Sequence, residues 1–76
     1  MHKEEAFELI EEEYKWATKT YPPFNTAHEG LAVLLEEFEE LKAEVFKSPA
    51  RRSYNEMCKE AKQVATMAIR FLVDIC

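Results

Sequence analysis

The stretch Leu31–Val45, LAVLLEEFEELKAEV, decides how this chain folds. Leu31, Leu34, Leu35, Phe38, Leu41 and Val45 recur at intervals of three and four, and at 100° per residue they form one stripe roughly 120° wide. Glutamates fill the gaps. The pattern predicts an amphipathic helix of about twenty residues. Its start is marked upstream, where Thr26 is followed three residues later by Glu29, a capping-box spacing with Phe24 and Asn25 just outside.

Working outward, TYPPFN (Thr20–Asn25) separates this helix from an earlier one. Pro22 and Pro23 lack an amide hydrogen and push the preceding residue toward extended backbone. The earlier segment, from about Lys3 to Lys19, places Phe7, Ile10, Tyr14 and Ala17 at helical spacing. Glu4 and Glu5 open it, and Lys15 and Lys19 close it, which suits the helix dipole. On the other side, KSPARRS (Lys47–Ser53) is a second break. Ser48-Pro49 offers one helix start, and Ser53 with Glu56 another; a short loop ending near Ser53 is preferred. The third segment carries Met57, Cys58, Ala61, Val64, Ala65, Ala68, Ile69, Phe71, Leu72 and Ile75, an apolar face broad enough to need cover on more than one side. Residues 1–76 therefore read as a single all-α domain of three helices. Self-association, most simply a symmetric dimer completing a helical bundle, would supply the missing cover.

Composition narrows the function. A net charge of −5 argues against a protein that grips a nucleic-acid backbone, and Arg51-Arg52 is the only local basic spot. No run approaches the apolar length of a membrane span, and the N-terminal residues lack an apolar signal core, so a cytoplasmic protein without membrane partners is the default expectation. Cys58 and Cys76 are eighteen residues apart in one helix, about 27 Å of rise, too far for a disulfide. Sharing the apolar face, they are expected to be buried free thiols, and no close Cys/His pair suggests zinc.

The carboxylates raise the chemical question. Counting from Leu31, Glu39, Glu36 and Glu40 fall at about 80°, 140° and 180°, outward or sideways. Glu37 and Glu44 fall at about 240° and 220°, on the edge of the stripe. Glu37 and Glu40, three apart, can converge on one point. On the third helix Glu60 flanks the apolar face, with Gln63 one step further round. Two such polar pairs facing each other would surround a cavity with oxygen ligands suited to a hard divalent cation. The plainer alternative makes Glu37 and Glu60 boundary residues in surface ion pairs.

The same residues carry a resemblance. Glu36-Glu37-Phe38-Glu39-Glu40 resembles the EExxE signature of the MazG-like all-α nucleotide pyrophosphohydrolases, and Glu60-Ala61-Lys62-Gln63 stands where that superfamily has ExxD. The longer phrases PPFNTAHEGLAVLLEEFEEL and EAKQVATMAIRFL look like small single-domain members found in phage and prophage, a likeness running from Tyr21 to Leu72. The resemblance implies a dimeric or tetrameric helical bundle that uses Mg²⁺, with Mn²⁺ as an alternative, to split a nucleoside triphosphate into monophosphate and pyrophosphate. It implies metal ligands at Glu37, Glu40, Glu60 and Gln63, and a ligand or water-orienting base at Glu36, so that Glu36 and Glu37 are the catalytic pair. The departure is Gln63, whose amide oxygen can coordinate but brings no charge and cannot act as a base. The alternative function is a non-catalytic helical oligomerisation or nucleotide-binding module. A di-iron carboxylate site is disfavoured because no ExxH motif is present.

Candidate substrate contacts are Asn25 and His28, flanking the start of the second helix, and Arg51 and Arg52, whose guanidiniums could meet phosphates. Each has a structural alternative: capping for Asn25, helix-start packing for His28, solvation for the arginines. Gly30 reads as a close-packing position, Trp16 as an interface residue, and Lys59 and Lys62 as partners of nearby glutamates. Asp74 lies too far along the third helix to join Glu60.

Overall fold

The computed structural model describes all 76 residues and contains three helices, α1 (Lys3–Thr20), α2 (Ala27–Val45) and α3 (Tyr54–Ile75), with no strand. No helix is long and apolar enough to cross a membrane. α3 is the central element: α1 and α2 each pack on it and not on each other. The broad apolar surface expected of this segment is thus covered in part, and Leu72 and Val73 stay exposed.

The helix starts follow from local chemistry. Thr26 caps α2, its Oγ1 accepting the Glu29 N–H at 3.1 Å. The Glu29 carboxylate reaches back past the cap to the Asn25 N–H at 3.4 Å and Nδ2 at 3.5 Å. Ser53 caps α3 in the same way, accepting the Glu56 N–H at 3.3 Å. Pro49 lies in the preceding loop, which is turned by the Arg51 and Arg52 N–H groups donating to Ser48 O.

The core is small. Ala17, Phe24 and Met67 are its buried apolar side chains, with Val33, Leu34 and Ile75 packed against them. Two long-range bonds fasten the α1–α2 connection onto α3: the Phe24 N–H donates to Asp74 Oδ2 at 2.9 Å, and Arg70 Nη2 donates to Pro22 O at 2.8 Å. Lys62 on α3 pairs with Glu13 on α1 at 3.3 Å.

Two expectations are corrected. The face α2 turns toward α3 is only one edge of the predicted stripe: Leu34 and Leu41 face inward, whereas Leu31, Leu35 and Phe38 are 58%, 53% and 50% exposed. The inward row is Gly30, Val33, Leu34, Glu37, Leu41 and Glu44, roughly a quarter turn from the centre of that stripe at 100° per residue. Gly30 is the reason α3 comes close on that side: a Cβ there would stand 2.7 Å from Phe71 Cδ2 and 3.1 Å from Phe24 Cδ2. The cysteines are the second correction. Both are free and exposed, because no element covers α3 where they emerge.

Candidate metal and nucleotide site

The quarter turn of α2 moves Glu37 from the edge of a stripe to the middle of a packed face. Opposite it, α3 presents Glu60, Gln63, Met67, Arg70 and Asp74 in steps of three and four, one continuous side of that helix. Between the two faces lies a pocket of about 560 Å³. At one end Glu36, Glu37 and Glu40 of α2 face Glu60 and Gln63 of α3, with Lys59 beside them; at the other are Phe24, Met67, Arg70 and the rings of Trp16 and Tyr21.

Glu37, Glu40 and Glu60 each bring a carboxylate oxygen within 4.8 Å of the other two. Two oxygens on one Mg²⁺, each at about 2.1 Å, stand at most about 4.2 Å apart. Adjacent ligands of an octahedral ion stand closer still, at about 3.0 Å, so side-chain rotation has to draw the three oxygens together around an ion. The donor set, all oxygen and predominantly anionic, fits a hard divalent cation.

Electrostatics register the crowding. Burial is the main cause that raises Glu37 from 4.5 to about 7, followed by repulsion from Glu40 and Glu60, hydrogen bonding to Glu40, and repulsion from Glu36. Glu60 is also raised, by burial first and then by hydrogen bonding to and repulsion from Glu40, partly opposed by Lys59. A cation in their midst would reverse these repulsions.

The structure brings together the metal-ligand candidates Glu37, Glu40, Glu60 and Gln63, and adds Glu36 to the same wall. It does not bring the candidate substrate contacts there. Asn25 does not line the pocket but is tied to Glu29, which does, and His28 lines a separate shallow apolar hollow with Leu31, Leu34 and Phe71. Arg51 and Arg52 lie in the α2–α3 loop, where Arg52 donates to Lys47 O at 3.3 Å. Glu44 bonds Lys47 at 2.9 Å and is absent from the pocket, while Glu39 pairs with Lys42 on the outer surface.

Sequence reasoning missed Arg70. It lies on the face of α3 that carries Glu60 and Gln63, and a charged residue at helical spacing from two candidate ligands was the available signal. Trp16 and Tyr21 form an edge-to-face pair, centroids 5.8 Å apart, on the same pocket.

Comparison of the chain with protein-family models, curated proteins and solved structures found no match.

Proposed function

We propose that this protein is a divalent-cation-dependent nucleoside triphosphate pyrophosphohydrolase of MazG-like type, acting as a homodimer or homotetramer. The observation that carries the reading is the convergence of two polar pairs, Glu37 with Glu40 and Glu60 with Gln63, on one pocket whose far end is aromatic. The signature-like spacing in the sequence and the facing of the pairs in space are separate supports.

In this reading Glu37, Glu40, Glu60 and Gln63 would hold Mg²⁺, which would supply charge neutralisation for the triphosphate and acidify the attacking water. Glu36, on the rim, accepts the proton of the attacking water. The water oxygen bonds to the α-phosphorus, the bond from that phosphorus to the bridging oxygen breaks, and pyrophosphate leaves. Gln63 contributes an oxygen without charge, so affinity for the cation is lower than with a fourth carboxylate.

Self-association is supported by surface arithmetic. A compact monomer of 8.9 kDa exposes about 4,800 Å² by the usual scaling, against 5724 Å² here. The excess, roughly 900 Å², approximates what one partner buries in a standard interface. It coincides with uncovered apolar residues: Leu31, Leu35 and Phe38 on α2, and Leu72 and Val73 on α3. This favours oligomerisation under the non-catalytic alternative as well, so turnover is the discriminating observation. The test is pyrophosphate release from a panel of canonical and modified ribo- and deoxyribonucleoside triphosphates with Mg²⁺ or Mn²⁺. Metal-dependent release from at least one is expected; none from any, with no calorimetric cation binding, would leave the helical module.

A further inference from the structure

Arg70 is a buried cation without a counterion. It is 3% exposed and forms no ion pair. A guanidinium has five N–H donors. Here Nη2 donates to Pro22 O at 2.8 Å, Nη1 points to Met67 Sδ at 3.7 Å, and buried Nε has no acceptor. Asp74, one turn further along α3, could have neutralised the charge but instead accepts the Phe24 N–H. The group lies 4.5 Å over the Phe24 ring. That contact offsets only part of the cost of desolvating a charge. The Pro22 bond alone is a weak reason to bury an arginine. Its position on the pocket wall, about two turns along α3 from Gln63, supplies a stronger one.

Glu60 and Arg70 are ten residues apart on α3, about 15 Å of rise, and a long helical side chain leans back toward the N-terminus. The guanidinium is thus set beyond a cation-bound phosphate by a length that a sugar and base can bridge, near the half-exposed rings of Tyr21 and Trp16, which suit a flat ring. A guanidinium is donor-only and planar, matching a base edge of acceptors such as guanine O6 and N7 or uracil O4. Adenine presents an amino donor where those bases present a keto oxygen.

We propose that Arg70 is the specificity-determining residue of this pocket, reading the keto oxygen of a nucleobase held beside Tyr21 and Trp16, so that the substrate class is keto-base nucleotides rather than adenine nucleotides. This rests on the nucleotide reading above, and the experiment separates the two. Trp16, the only tryptophan, lies at the pocket and reports occupancy by fluorescence. Non-hydrolysable α,β-methylene triphosphates of guanosine, uridine and adenosine are titrated with Mg²⁺ into the wild-type protein. The guanosine or uridine analogue is expected to bind at least tenfold tighter than the adenosine analogue. Arg70→Lys, which keeps charge and bulk but loses the planar fork, is expected to abolish that preference with unchanged far-UV circular dichroism; Arg70→Gln is expected to weaken the keto analogue at least tenfold and adenosine little. Equal binding of all three analogues by the wild type, or a preference surviving in a folded Arg70→Lys protein, overturns the role of Arg70 and leaves the nucleotide reading standing. No binding of any analogue overturns both.

Discussion

Replacing Glu37 by glutamine should stabilise the metal-free protein at pH 8 while destroying its cation site. The carboxyl titrates at about 7 in the fold against 4.5 as a free side chain. An acid whose folded pKa is raised binds its extra proton in the native state. Its stability contribution is therefore full below about pH 4.5 and is lost as pH rises through about 7. At about 1.4 kcal/mol per unit, that interval corresponds to a ceiling of about 3 kcal/mol. Glu37 is partly exposed, and solvent screening takes roughly half, leaving about 1–2 kcal/mol. Glutamine resembles the protonated acid in shape and charge, so the variant escapes this loss. For a chain of this size the gain corresponds to about 5–10 °C in Tm at pH 8, and about a quarter of that at pH 5. The assay is thermal unfolding by circular dichroism at both pH values, at one protein concentration because association shifts Tm. Adding Mg²⁺ at pH 8 should raise the wild type and leave the variant unmoved. A loss of stability at pH 8, or an equal gain at pH 5 and pH 8, would refute the reasoning.

Other substitutions address different parts of the account. Gln63→Asp should tighten Mg²⁺ binding in calorimetry by supplying the missing charge, and an unchanged affinity would place that side chain outside the cation's reach. Gly30→Ala gains about 1 kcal/mol of helix propensity but meets Phe71 at 2.7 Å, and overpacking of that kind costs about 1–3 kcal/mol, so urea denaturation should show a net loss of roughly 1 kcal/mol. A more stable alanine variant would mean that the Phe71 ring yields freely. Phe38→Glu should convert the assembly to monomers in sedimentation analysis while retaining helicity; a wild-type monomer, or an unaffected oligomer, would remove α2's outer face from the interface. In turnover, Glu37→Gln should be inactive and Glu39→Gln close to wild type, which equal effects would contradict.

The helices and their ends were legible because their causes are local. Thr26 with Glu29, Ser53 with Glu56, and the paired prolines act within a few residues, and each does what its spacing implies. Which side of α2 faces inward was not legible. Periodicity shows that Leu31, Leu35 and Phe38 form a stripe, but not whether the same chain covers it. The close approach at Gly30 selects a neighbouring face, and this made Glu37 more central than its angle indicated. The polar pairs were found from helical geometry, since i, i+3 neighbours remain neighbours in any packing. Arg70 was overlooked because its burial depends on the Pro22 carbonyl and the Phe24 ring, contacts made across nearly fifty residues of chain. The cysteines mislead for a related reason: a position on an apolar face is buried only where another element reaches it.

The claim on which the rest depends is that two helices build one cation site. A titration of Mn²⁺ followed by electron paramagnetic resonance tests it without relying on turnover. The account predicts one bound Mn²⁺ per protomer, displaced by excess Mg²⁺, lost in Glu37→Gln and in Glu60→Gln, and retained in Glu39→Gln. Binding that is absent in the wild type, or that survives the loss of either helix's carboxylate, would contradict it.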